Sequence, residues 1–215
     1  PQLPIVNWHH TDPGVYSVPP PVPYGMWVGI SRNHSERLGR HFGQPVRCIY
    51  NGIDLDFYKS TGEKRGERWL YLARYTPEKG AWDIISLAQG IRVGVDFYGD
   101  TQIIGAHAPY RDLCFRRQDG LYVRVNGSLT REMCVEAYSN HKGYLLWLNW
   151  DEPFGLTIAE AQACGCVPIV TRRGSIPELI EDGKTGILVD SIRDMEDAIK
   201  QERYKAVDPA EMRRS

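Results

Sequence analysis

Residues 152–165 read Glu152-Pro153-Phe154-Gly155-Leu156-Thr157-Ile158-Ala159-Glu160-Ala161-Gln162-Ala163-Cys164-Gly165. Just before them, residues 143–148 form a short apolar run of the length and character of a buried strand. After Thr157 the small residues read as a helix that Gly165 stops. The segment is therefore strand, loop, helix, and the rest of the chain repeats that alternation.

A strand that enters a helix through a Gly-containing loop leaves the first helical N–H groups unpaired, and the helix dipole makes that end partly positive. Anions settle there. Two carboxylates bracket the spot: Glu152 in the loop, free to point into a cleft, and Glu160 about one turn into the helix. Carboxylates repel phosphate but accept hydrogen bonds from hydroxyls. A phosphate on the amides with hydroxyl-bearing groups on either side describes a nucleotide sugar, its ribose at Glu160 and its hexose at Glu152.

Two glutamates separated by seven residues, with Pro-Phe-Gly-Leu after the first and Ala-x-Ala-x-Gly after the second, resemble the signature of the retaining glycosyltransferases of family 4, which have the GT-B fold. The resemblance covers nearly the whole chain, strongest at 152–165, moderate at 74–80 and weak before residue 51. It implies an α/β chain with a Rossmann-like, doubly wound parallel sheet, the C-terminal half of a GT-B fold with a partial N-terminal domain. The implied division is 1–50 as the tail of the acceptor-side domain and crossover, 51–203 as the nucleotide-sugar-binding domain, and 204–215 as a C-terminal tail. The expected activity is hexose transfer, with retention and without a metal, from a UDP-, GDP- or ADP-sugar to a carbohydrate, lipid or other hydroxyl acceptor. No cofactor is expected.

The same resemblance assigns roles. Arg74 and Lys79, in a Gly-Arg-x-x-x-x-Lys-Gly-like loop where Ala73 replaces the usual first Gly, are expected to hold the donor diphosphate together with the amides of Gly155, Leu156 and Thr157. Phe154 enters that helix. Glu152 is expected at the hexose and Glu160 at the ribose. Gly99 and Asn126, at two strand ends, are either ordinary turns or the places where backbone approaches the base. His10 resembles a histidine facing the transferred sugar, although neighbouring His9 competes for that role, since adjacent strand residues point to opposite sides. Two rival functions stay open: a donor-binding module inactive without a fuller N-terminal domain, and a GT-B epimerase or phosphorylase.

At 215 residues the chain is long enough for one full α/β domain and a piece of another. Its 26 basic and 27 acidic residues give a net charge of -1, so no global field favours nucleic acid or an acidic membrane. No apolar run is long enough to span a bilayer, and no leader pattern opens the chain. The expected location is cytoplasmic, with peripheral membrane contact or oligomerisation left open. A chain opening on Pro fits a native end after loss of Met or a trimmed one. The five cysteines are odd in number, lack a Cys-x-x-Cys pair, and read as buried thiols in a reducing compartment.

Working outward, residues 69–73 read as the first strand of the second domain, 93–100 and 121–125 as the next strands, 167–171 and 185–189 as later ones. Helices are expected at 81–88, 110–116, 130–140 with Thr130 as its cap, and 192–200. Ser31 should start a helix through residue 41. Asp54-Leu55-Asp56 is read as a capped turn after Asn51-Gly52 rather than a metal-holding pair, and no metal ligand is assigned. Gly183-Lys184-Thr185 fails as a phosphate loop because Glu178 stands where the first Gly is required, and no Gly-x-Gly-x-x-Gly supports a dehydrogenase.

Overall fold

The computed structural model describes residues 6–8, 26–62, 65–102 and 105–214. A three-stranded parallel sheet comes first, from β1 (Val6–Trp8), β2 (Met26–Gly29) and β3 (Arg47–Cys48), with α1 (Arg32–Phe42) between the last two. Ser31 caps α1 as its sequence suggests, its hydroxyl accepting from the His34 amide at 3.0 Å. β3 keeps only two residues of regular ladder, Arg47 and Cys48 pairing with Val28 and Gly29.

The larger sheet is built from β4 (Trp69–Leu72), β5 (Val95–Tyr98), β6 (Val123–Val125), β7 (Tyr144–Leu146), β8 (Pro168–Thr171) and β9 (Ile187–Val189). Its helices are α2 (Ala81–Ile91), α3 (Ala108–Phe115), α4 (Arg131–Asn140), α5 (Leu156–Ala163), the short α6 (Ile176–Leu179), α7 (Ile192–Lys200) and α8 (Pro209–Met212). All six strands run parallel in the order β6-β5-β4-β7-β8-β9. The sheet is doubly wound, as the alternation of elements implies. β4, β7 and β8 are buried at every position, which is why they read as unbroken apolar runs rather than alternating ones.

The order reverses between β4 and β7. The chain first steps outward through β5 and β6, then α4 carries it back to the other side of β4. Loops leaving the carboxyl ends of β4 and β7 therefore diverge around a crevice, the place where open parallel sheets take their ligands. Trp69, Tyr71, Tyr75, Tyr138 and Tyr144, nearly or fully buried, fill the core beneath it.

Two contacts fix what surrounds that crevice. Glu178 of α6 reaches the first turn of α1, where its carboxylate accepts from the amides of Arg32 (2.9 Å) and Asn33 (2.8 Å) and from the Tyr50 hydroxyl (2.7 Å). Burial alone would raise the Glu178 carboxyl, but these hydrogen bonds bring it below its ordinary value. The C-terminal segment also returns. Arg213 donates to the carbonyls of Tyr58 (2.7 Å), Ala163 (2.6 Å) and Leu55, tying the end of α5 to the connection between the two sheets.

Cys114, Cys164 and Cys166 are buried and Cys48 and Cys134 half-buried, all as free thiols. Burial pushes Cys114 and Cys166 up to about 12. No helix among the described residues is long and apolar enough to cross a membrane.

Candidate functional site

A hollow of about 250 Å³ opens at the reversal point, lined by Lys79, Glu152 and residues 153–157, with Leu146 of β7 and with Ile30 and Asn51 facing them. Residues 73 positions apart in sequence thus share one wall. The loop after β4 is drawn in by a short 3₁₀ turn, Pro77–Lys79, and by Gly80, whose φ of 61° and close approach leave no room for a side chain. A Cβ there would lie 2.1 Å from the Trp147 carbonyl oxygen. The Tyr71 hydroxyl lies 3.1 Å from the carbonyls of both Arg74 and Lys79. Asn149 adds a brace, its amide donating to the Glu78 carbonyl (2.9 Å) and its side chain to that of Pro77 (2.9 Å).

Lys79 and Glu152 meet as an ion pair at 2.5 Å, their side chains only 14% and 11% exposed. The same Glu152 oxygen, Oε2, also accepts from the Trp150 indole N–H at 2.9 Å, and the Lys79 ammonium lies 4.8 Å from the Trp150 ring centroid. The Glu152 backbone is clamped from behind. Ser175 donates through its amide (2.9 Å) and hydroxyl (2.8 Å) to the Glu152 carbonyl, and that hydroxyl is 2.7 Å from the Phe154 carbonyl. Gly174, with φ of 59°, passes so close that a Cβ would fall 2.4 Å from the Glu152 amide nitrogen.

Gly155 is the N-cap of α5 and has no side chain to close the helix end. The earliest α5 amide to find a carbonyl is that of Ile158, bonded to Gly155 at 3.0 Å. Leu156 and Thr157 both line the hollow, and their amides find no partners among the described residues, as the first N–H groups of a helix do. Thr157 is held by its hydroxyl against that of Tyr144 at 2.9 Å. Phe154 is buried and packs toward Tyr50, ring centroids 6.4 Å apart.

Glu160 lies off the hollow's lining, against α4. The Tyr138 hydroxyl donates to its Oε2 at 3.1 Å. Burial lifts this carboxyl above its ordinary value, while hydrogen bonds from Tyr58 and Tyr138 and the charge of Arg131 pull it partly back. Arg74 stands on the rim, its side chain half-exposed and loosely paired with Glu78 at 3.7 Å. Gly99 and Asn126 sit at the ends of β5 and β6. A Cβ on Gly99 would lie 2.2 Å from the Ala73 carbonyl oxygen, and Asn126 bonds through its amide to Phe97 (2.7 Å). His10 falls outside the described residues.

Of the residues singled out from sequence, Lys79, Glu152, Phe154, Gly155, Leu156 and Thr157 come together. Arg74, Gly99, Asn126 and Glu160 lie around that group without lining the hollow. Trp150, Ser175, Gly174 and Asn149 were not singled out. Trp150 could have been found from its place two residues before Glu152; nothing local marks Ser175 as the clamp of a loop more than twenty residues upstream. No cluster of three or more His, Cys, Asp or Glu side chains suited to a metal forms among the described residues.

Comparison with known proteins adds to this geometry. The model of the family described as glycosyl transferases group 1 matches residues 55–204. A D-inositol 3-phosphate glycosyltransferase of Streptomyces bingchenggensis is 37% identical over 187 residues, covering 75% of this chain and 41% of the relative. An uncharacterized glycosyltransferase of Methanocaldococcus jannaschii is 21% identical over 194 residues, covering 87% of this chain and 51% of its own length. Among solved structures, Anabaena HepE in complex with UDP-glucose superposes with a TM-score of 0.82 at 18% identity, over 98% of this chain and 66% of that one. Sucrose-phosphate synthase from Thermosynechococcus elongatus gives 0.71 at 23% identity, over 86% and 50%. The chain thus spans about half the length of such relatives or less, and two thirds of the HepE chain. The fold is that of the GT-B glycosyltransferases.

Proposed function

The chain belongs to the glycosyl transferases group 1 family, and from that premise we propose that its hollow binds a nucleoside-diphosphate sugar and supports transfer of the hexose to an acceptor hydroxyl with retention of configuration. The observation that carries the proposal is the meeting of Lys79, Glu152 and the open amides at the start of α5 in one hollow. Cationic, hydrogen-bond-donating and carboxylate groups then face a single ligand from complementary sides.

As the glycosidic bond breaks, negative charge builds on the leaving diphosphate. Lys79 and the amides of Leu156 and Thr157 are fixed before the reaction, so they stabilise that charge without reorganising. Arg74, on the rim, can swing in to grip phosphate oxygens through its planar fork. These groups supply the charge stabilisation that a metal provides elsewhere, which supports a metal-independent reaction. Stabilisation of charge that appears only in the transition state raises the rate, where equal binding of ground and transition states would not. Glu152 accepts from hexose hydroxyls and Glu160 from the ribose, at the two ends of the same loop and helix.

HepE was solved with UDP-glucose, and this supports a sugar nucleotide as the donor class here. The test is binding before turnover. A thermal-shift panel of UDP-, GDP- and ADP-sugars, with and without magnesium, should raise the melting midpoint for one base series and be indifferent to the metal. Absence of any shift across the panel would overturn the proposal. The part-length match to relatives favours a second reading, donor binding without transfer by this chain alone; donor affinity with no turnover would select it. The anomeric configuration of a product, read by NMR, decides retention.

A further inference from the structure

Glu152 carries both its protein partners on one oxygen. The Trp150 indole N–H and the Lys79 ammonium converge on Oε2, while Oε1 takes no hydrogen bond from the described residues. Two donors on one side fix the rotation of the carboxylate about its terminal bond. The other oxygen is thereby the one presented to a ligand. The Trp150 ring also flanks the Lys79 ammonium at 4.8 Å, so a single side chain touches both charged groups of the wall. Trp150 is itself half-buried, and its neighbour Asn149 is bound to the loop carrying Lys79, which limits where the indole can go.

We propose that Trp150 is a positioning residue for the donor: its indole N–H turns Glu152 so that Oε1 alone receives the hexose hydroxyl, and its ring face holds Lys79 toward the diphosphate. This rests on the reading of the hollow as a sugar-nucleotide site. It predicts separable effects of the N–H and of the ring. Losing only the N–H leaves Lys79 flanked by an aromatic face and frees the carboxylate to rotate, so recognition of the sugar falls while that of the bare diphosphate does not.

The donor found in the thermal-shift panel and the matching sugar-free nucleoside diphosphate are titrated calorimetrically into wild-type protein, Trp150→Phe and Trp150→Leu. Trp150→Phe should weaken the sugar nucleotide about ten-fold, the order expected for a lost hydrogen bond to a charged group, and change nucleoside diphosphate affinity less than about two-fold. Trp150→Leu should weaken both ligands, because the ring beside Lys79 goes too. Equal losses for both ligands in Trp150→Phe, no loss for either, or a lowered melting midpoint of the free variant would each overturn the inference. Wild-type protein that binds no sugar nucleotide would instead overturn the reading of the site.

Discussion

The two glutamates of the 152–160 segment are the same residue type on one short stretch, yet the fold places them in opposite electrostatic settings. Glu152 is met by an ammonium and an indole N–H and braced from behind by Ser175. Glu160 is met by a phenol hydroxyl on the flank of α4, and burial lifts its carboxyl. Both are expected to accept sugar hydroxyls, but among the described residues only Glu152 is held in an ion pair, by a cation from another loop, while the charge of Arg131 acts on Glu160 without pairing. The spacing of a motif sets where its carboxylates lie; the neighbours that arrive from distant strands set how each behaves.

The largest test of that contrast removes the cation. Lys79→Ala leaves the Glu152 carboxylate largely buried and uncompensated, and stability should fall toward the lower end of the ~3–5 kcal/mol typical of a broken buried pair. Urea unfolding measures it, and the double change Lys79→Met with Glu152→Gln should recover much of the loss. If the single variant is as stable as wild type, the pair does not support the fold.

Ser175→Ala comes next. Its single hydroxyl proton lies within reach of the carbonyls of Glu152 and Phe154. The Glu152 carbonyl keeps the Ser175 amide in the variant, the Phe154 carbonyl loses the hydroxyl, and a buried group left unpaired costs about 1–3 kcal/mol. The same variant should loosen donor binding, since the loop it braces carries Glu152. Stability lost without any change in donor affinity would show that the brace is merely structural.

A smaller effect, of opposite character, belongs to Glu160. A folded-state pKa raised above the unfolded one favours the fold most at low pH, and that contribution is lost as pH rises through the folded-state value. Glu160→Gln is permanently neutral. Its melting midpoint should match wild type in acid and exceed it near neutrality, while sugar-nucleotide affinity drops. Melts between pH 4 and pH 8 decide the sign; a variant less stable at neutral pH would overturn this account of Glu160.

Smallest in stability is Arg74→Ala. Its exposed pairing with Glu78 at 3.7 Å contributes little, within about 1 kcal/mol. The informative readout is the nucleoside diphosphate, whose affinity should fall about ten-fold if the guanidinium swings in from the rim. Unchanged affinity would leave Lys79 and the α5 amides as the sole phosphate contacts.

The sequence by itself determined the local units: the strand of 144–146, the Gly-entered helix after it, the caps at Ser31 and Thr130, and the alternation that forces a parallel, doubly wound sheet. These are legible because periodicity, capping and turn chemistry act within a few residues. Only the tertiary structure decided that β4 and β7 stand side by side, which brings Lys79 onto Glu152, that Ser175 braces Glu152 from a later loop, and that Arg213 returns to close α5. Those contacts depend on strand order and on burial. No run of neighbouring residues encodes them, because the free energy that selects one partner over another is released only when the whole sheet packs.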